Sequence, residues 1–440
     1  MNQIKAFRAA IVHLLDDPGY ELHPTPPAVE YFEDGILLVE KGYVRAVGAA
    51  SALLPHLPEA CELLEFPDHL IIPGMVDTHI HYPQTDMIAS YGEQLLEWLE
   101  TYTFPTERQF SDPHHAREVA DFFLGELLRN GTTTACVFGT VHPESVDAFF
   151  AAAETRNLRM IAGKVMMDRN CPDYLQDTPE SAYQDSKALI EKWHGRGRLS
   201  YAVTPRFAPT STPEQLSKAG QLLQEFPDVY LHTHVAENKA EVAWVQELFP
   251  DSRSYLDVYH QHGLLKPRSV MAHCIYLDEA DKQCMAETGA AVAFCPTSNL
   301  FIGSGLFDVV GTKAHGIRVG MGTDVGGGSS FSLLQTANEA YKVTQLRGNK
   351  LSAFQMLYLA TLGGAKALYL DDKIGNFAPG KEADFVLLNP KATPLLERRL
   401  RYCQDIAELL FVLMMLGDDR VVSKTWIMGE EASIGYTASK

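Results

Sequence analysis

Long apolar runs are missing from this chain of 440 residues. The longest, Leu409 to Leu416, falls far short of the roughly 20 residues a membrane span needs, so it reads as a buried helix or strand. Positive charge is short as well: 37 Lys and Arg stand against 56 Asp and Glu, a net charge of -19. Such a surface repels nucleic-acid phosphates and anionic membranes, and neither is an expected partner. No Cys-x-x-Cys pair occurs, and the cysteines are scattered and odd in number, at 7. A disulfide framework or a structural zinc cluster is therefore not expected, and a reducing cytoplasm is. The residues Met1 to Phe7 carry no apolar signal segment, in keeping with that setting. Low-complexity tracts and solenoid-type repeats are absent too.

What is present is a globular composition, 46% apolar and 21% charged, too long for one ordinary core. The first seventy or so residues read as short strands and turns. Gly35 to Glu40 and Tyr43 to Gly48 flank Lys41-Gly42 as a hairpin. Ala383 to Leu388 and Val421 to Gly429 read as further strands near the other end of the chain. Strands from both ends are expected to pair in one small sheet domain, since termini often lie close together.

Between them apolar runs alternate with helical stretches. The runs begin at Met75-Val76 and continue at Thr133 to Phe138, Met160 to Met167, Ser200 to Thr204, Val229 to His234, Ser269 to His273, Ala291 to Cys295 and Ile317 to Asp324. Buried strands spaced by about 30 residues, with helices between, predict a (β/α)8 barrel of the TIM type. The expected division is 1–72 and 371–440 for a small β-sandwich domain formed from both termini, and 73–370 for the barrel. The segment Gln84 to Phe110 is read as a loop inserted after the first strand.

A barrel of this kind keeps its chemistry at the C-terminal ends of its strands. Those ends carry His79, His81, Arg206, His232, His234, His273 and Asp324. His79 and His81 are two residues apart on a strand, so they share a face and can grip one metal ion. His79, His81, Asp324 and one of the same-face pair His232 and His234 make a set of three imidazoles and a carboxylate. That set suits Zn2+, with Fe2+ as the second choice, and lowers the pKa of a bound water to about 7. Glu237, three residues beyond His234, is placed to move protons as acid and base. His273 is placed to hydrogen-bond the water and stabilise charge on the substrate. Taken singly, each of these residues also reads as a cap or a satisfied core group; the strand-end placement of the whole set argues for a site.

His-x-His on the first strand, His on the fifth and sixth and Asp on the eighth resemble the amidohydrolase superfamily. The run Ile374 to Asp384 is similar to that family's return from barrel to sheet. The resemblance covers nearly the whole chain, selects His234 over His232 as ligand, and through His234 with Glu237 points to the deaminase branch. Within that branch, Thr78 to Gln84, Tyr91 to Leu99, Thr103 to Glu107, Pro205 to Thr210 and Phe294 to Leu300 resemble the guanine deaminase family. That resemblance implies one zinc ion per chain, held by His79, His81, His234 and Asp324, with Glu237, Asp324 and His273 catalytic. It implies guanine as substrate, homodimers, and a substrate site bordered by His81, Gln84, Arg206, Phe207, His234 and Asp324. Phe207 is suited to stack on a flat ring, and Arg206 and Gln84 to reach its carbonyl and ring nitrogens.

Three rival readings stand beside this one. One is the same machinery acting on a cytosine-, pterin- or triazine-type ring. Another is a two-metal hydrolase of cyclic amides bridged by a carboxylated lysine, for which Lys164 is the candidate; an interior lysine paired within the barrel is the simpler reading. The third is a metal-bound barrel that serves as a scaffold without catalysis.

Overall fold

The computed structural model describes residues 4–23, 28–91 and 94–434. Gly92 and Glu93 of the Tyr91 to Leu99 motif, and Met1 to Gln3 of the N-terminal reading, lie outside the described residues. The chain divides into two compact units. One runs to Val76, takes in Gly125–Thr133 and resumes at Ser332; the other takes in Asp77–Leu124 and Thr134–Phe331.

The first unit is organised by a mixed sheet of strands from both ends of the chain. Their order across the sheet is Glu430–Glu431, Val422–Ile427, Phe385–Leu388, Cys61–Pro73, Ile4–Leu14, Val29–Glu40 and Tyr43–Ala49. Only Ile4–Leu14 and Cys61–Pro73 run parallel. The hairpin expected around Lys41-Gly42 is present, with Glu40 opposite Tyr43. Lys41 and Gly42 take φ of 54° and 84°, the two positive values a tight two-residue turn demands, and glycine meets its half without steric cost. Side chains alternate between faces. Phe7, Leu37, Ile71, Phe385 and Trp426 pack on one side, and Ala6, Ile36 and Leu38 on the other. The Phe7 ring stands edge-on to Phe385 at 4.8 Å and to Trp426 at 4.7 Å. The apolar run Leu409 to Leu416 is helical, within Ile406–Leu416, and Asp405 caps that helix by accepting the Glu408 N–H.

The barrel strands are Met75–His81, Thr132–Phe138, Arg159–Gly163, Ser200–Pro205, Tyr230–Val235, Ser269–His273, Ala291–Phe294 and Val319–Met321, neighbours in that order. His81 N–H donates to Val325 O and Asp324 N–H to His79 O, each at 2.9 Å, so the eighth strand's end is tied back to the first and the barrel nearly closes. Every expected strand is there; the third is interrupted and the eighth is cut short. The third run breaks at Lys164, and Val165–Met166 pairs separately with the fourth strand. At Gly163 a Cβ would fall 1.7 Å from Ala202 O, so the backbones touch and only glycine fits there. The eighth run stops at Met321, because Thr323 turns its N–H and hydroxyl to the Asp77 carboxylate and Asp324 adopts φ of 51°.

The inserted segment is a chain of short turns, Tyr82–Met87, Leu95–Trp98, Leu99–Thr103, Phe104–Glu107 and Arg108–Ser111. The Leu99–Thr103 turn is π-helical, a form often found at functional sites. Leu95, Trp98, Leu99 and Phe104 pack with Phe138, Phe207 and Ile302, so the insertion is bound into the barrel's core rather than loose.

Candidate metal centre and substrate cavity

The first barrel strand is buried along its whole length. Asp77, His79 and His81 share its inner parity. Asp77 accepts the N–H of His79 and of Thr323, each at 3.1 Å, which fixes the backbone carrying the two histidines. From the fifth strand, His232 and His234 also point inward. Their two roles separate by hydrogen bonding. His232 Nε2 lies 2.7 Å from His79 Nδ1, and His232 Nδ1 lies 3.3 Å from Cys136 Sγ. His79 donating from Nδ1 to His232 leaves the His79 Nε2 lone pair aimed at the centre. His234 donates from Nδ1 to Arg206 O at 2.7 Å, so its Nε2 lone pair points inward as well.

His79, His81, His234 and Asp324 have ligand atoms within 4.8 Å of one another. Asp324 Oδ1 lies 3.1 Å from His79 Nε2 and 3.3 Å from His81 Nε2, while His81 Nε2 and His234 Nε2 face each other at 3.2 Å. His79 Nε2 is buried with no hydrogen-bond partner. Lone pairs and a carboxylate converging in a buried space call for a cation between them, and the donor set fits a divalent metal. The protonation states agree. Burial lowers the pKa of His79 and His234 and brings His81 down to about 3. Burial pulls Asp324 upward, but the imidazoles around it outweigh that and hold it well below its ordinary value. Neutral rings beside an ionised carboxylate are the forms that bind metal.

His273 ends the sixth strand. Its Nδ1 donates to Asn299 Oδ1 at 2.8 Å, and its Nε2 lies 3.4 Å from Glu237 Oε2 and 3.7 Å from Asp324 Oδ2. Glu237 is buried, and burial followed by the charge of Asp324 raises its carboxyl to about 8, against the opposing hydrogen bond from Ser304 at 3.0 Å. The turn that carries Glu237 is clamped: Glu241 accepts the N–H of Glu237 and of Asn238 at 2.9 and 3.0 Å, and Tyr255 donates to Glu241 at 2.6 Å. Ala236, His273, Cys274 and Asp324 all take left-handed φ between 50° and 72°. Non-glycine residues in that region carry strain, and here it gathers at the strand ends where the site stands.

Beside this cluster lies a cavity with about 410 Å³ of empty space. His81, Gln84, Arg206, Phe207, His234, Glu237, His273 and Asp324 line it, and Leu95, Trp98, Leu99 and Ile302 complete an apolar wall. The structure thus brings together every site residue expected from the sequence; all of them line the cavity except His79, which stands behind it against Asp324. Lys164 is elsewhere, committed to Asp177 at 2.6 Å and to Val165 O at 3.1 Å. Sequence reasoning missed Trp98, Glu107, Asn299, Ser304, Glu241 and the Cys136–His232 contact. Asn299 and Glu107 lie inside segments that carry the family resemblance, but their partners are far away in the chain.

The model of the amidohydrolase family matches residues 70–432. The chain is 54% identical over 431 residues to guanine deaminase of Escherichia coli strain K12, covering 97% of each protein. The solved structure of E. coli guanine deaminase matches with a TM-score of 0.94, covering 98% of this chain and 99% of that one. The crystal structure of guanine deaminase from C. acetobutylicum, with bound guanine in the active site, matches with a TM-score of 0.88 at 27% identity, covering 98% of this chain and 100% of that one.

Proposed function

The chain belongs to the amidohydrolase family and, within it, to the guanine deaminases, and from that premise we propose how its own residues hydrolyse guanine to xanthine and ammonia. The similarity across 97% of both chains carries the choice of substrate. The convergence of Glu237, His273 and Asp324 beside the cavity supports the choice of residues.

The family's chemistry is metal-dependent, and His79, His81, His234 and Asp324 are the residues that would hold the ion. When bound, a divalent metal acidifies water, bringing its pKa to about 7. Zinc is the metal proposed, one per chain, because three neutral imidazoles and a carboxylate match its ligand preferences. Phe207 covers the face of the purine, and Arg206 and Gln84 hydrogen-bond its acceptor edge. Water held between Asp324 and His273 adds to C2. Glu237 transfers a proton to the adjacent ring nitrogen, and C2 becomes tetrahedral. Asp324 takes the proton of the added oxygen while His273 stabilises the charge there. Asp324 passes that proton to the exocyclic amine, the second proton of the added oxygen returns to Glu237, the C2–N bond breaks, and ammonia leaves xanthine behind.

A cytoplasmic homodimer is the form proposed. Free thiols at all seven cysteines support the compartment, and among the described residues no helix is long and apolar enough to cross a membrane. The proposed division assigns 1–72 and 371–440 to the sheet domain and 73–370 to the barrel. The two-metal rival is disfavoured by the engagement of Lys164 with Asp177. A panel of guanine, cytosine, pterin and triazine amines tests the reading: guanine is expected to give the highest kcat/KM, and a better ring from another class would overturn it.

A further inference from the structure

Glu107 is fully buried and does not line the cavity, yet it touches both polar residues that present hydrogen-bond donors there. Its Oε1 and Oε2 accept from Arg206 Nη1 at 3.0 and 2.8 Å, and its Oε1 accepts from Gln84 Nε2 at 3.2 Å. On the other side of Gln84, the amide oxygen accepts the Gly326 N–H at 3.1 Å. The Phe104 ring lies 5.4 Å from the Arg206 guanidinium, which further restrains it.

We propose that Glu107 is the positioning residue that sets which substrate edge the pocket accepts, an inference that rests on the guanine reading above. A side-chain amide offers a carbonyl or an NH2 group depending on its flip. Here neither flip is equivalent. An ionised carboxylate only accepts, so it must face the NH2 of Gln84, and a backbone N–H only donates, so it must face the carbonyl. Turning the amide over sets carbonyl against carboxylate and NH2 against N–H. Gln84 is therefore locked with one N–H left for the cavity. Arg206, with Nη1 engaged, has its remaining N–H groups for the same purpose. The wall consists of donors and demands acceptors.

Guanine meets that demand with O6 and N7, the edge that arginine reads elsewhere. A purine with an amine at C6 puts donors against donors there, even when it keeps the 2-amino group that the reaction removes. Buried donors left without partners give a large selectivity. Glu107 thus converts an ambiguous glutamine into a one-way reader.

The test compares guanine with 2,6-diaminopurine in wild type, Glu107→Asp and Glu107→Gln. Readouts are kcat and KM from ammonia release, metal content, and Tm. Where diaminopurine turnover is below detection, its inhibition constant against guanine is read instead. Glu107→Gln frees the Gln84 flip, so the guanine preference is expected to fall at least tenfold, chiefly through a higher KM for guanine, with metal content unchanged. Glu107→Asp keeps the charge and is expected to fall between Gln and wild type. If Glu107→Gln does not fold, a reduced preference in Glu107→Asp carries the proposal, and a wild-type preference in it overturns it. Equal losses for both substrates mark Glu107 as structural only and overturn the proposal. A wild-type enzyme inert toward guanine overturns the functional reading instead, before any variant is compared.

Discussion

Replacing Glu237 with glutamine isolates proton transfer from every other feature of the site. Burial and the charge of Asp324 raise the carboxyl to about 8, so it holds its proton more readily than an ordinary glutamate. Glutamine has the same shape, and its amide oxygen keeps the Ser304 hydroxyl contact now 3.0 Å long. The turn does not relax, because Glu241 holds it through the backbone N–H groups of residues 237 and 238. The metal set does not include Glu237. What disappears is the ability to exchange a proton, which contributes about 10²- to 10⁴-fold when a side chain acts as general acid and base. The corresponding rise in barrier is about 3 to 5 kcal/mol. The assay is kcat from loss of guanine absorbance, alongside metal content by mass spectrometry and Tm. The expected result is a kcat lower by at least a hundredfold, full metal occupancy, and a Tm no lower than wild type, since a buried acid has been removed. A fully metallated Glu237→Gln enzyme within tenfold of wild-type kcat would refute the role.

Further outcomes follow from other contacts. His232→Phe removes the partner that orients His79, so zinc affinity measured by competition with a chelator is expected to fall about 10- to 100-fold; unchanged affinity would remove His232 from the account. Phe7→Ala opens a cavity against Phe385 and Trp426 and is expected to cost about 3 to 5 kcal/mol in reversible urea unfolding, with less than 2 kcal/mol contradicting the packing described. His13 is buried, and burial followed by the Lys381 charge lowers its pKa from 6.5 to about 4. The unfolded chain then binds the extra proton first, so stability from this group is complete above pH 6.5 and drains away as pH falls toward 4, in part offset by the Glu30 carboxylate 3.0 Å from its Nε2. The wild-type loss of Tm between pH 7 and pH 4.5 should shrink in His13→Gln, and parallel profiles would count against a neutral buried His13.

The elements legible in the sequence were those whose signal is local. His-x-His shows its geometry in three residues, because a strand has a period of two. Lys41-Gly42 announces its hairpin because the turn needs two positive φ values in adjacent residues. The strand-end histidines and Asp324 could be found because their neighbours read as buried strands. The break at Lys164 was not legible, since it depends on Ala202 pressing on Gly163 from another strand. His232 and His234 share parity on one strand; the family resemblance chose between them, but the physical reason lies in the distant partners His79 and Cys136 on one side and Arg206 O on the other. Glu107 looked like one acid in an inserted loop. Its meaning lies in Arg206 and Gln84, 99 and 23 residues away. Trp98 and Leu99 were hidden for a related reason: short turns carry no long hydrophobic period, so their inward faces appear only once the cavity does.

The central claim is that a single metal centre built from His79, His81, His234 and Asp324 supports hydrolysis of guanine. The most direct measurement strips the purified protein of metal, adds zinc back in steps, and follows guanine absorbance with xanthine and ammonia quantified at each step. Expected are no turnover without metal, activity rising linearly to one zinc per chain, and one xanthine and one ammonia for every guanine lost. Activity that needs two ions per chain, or guanine left intact by fully loaded protein, would contradict it.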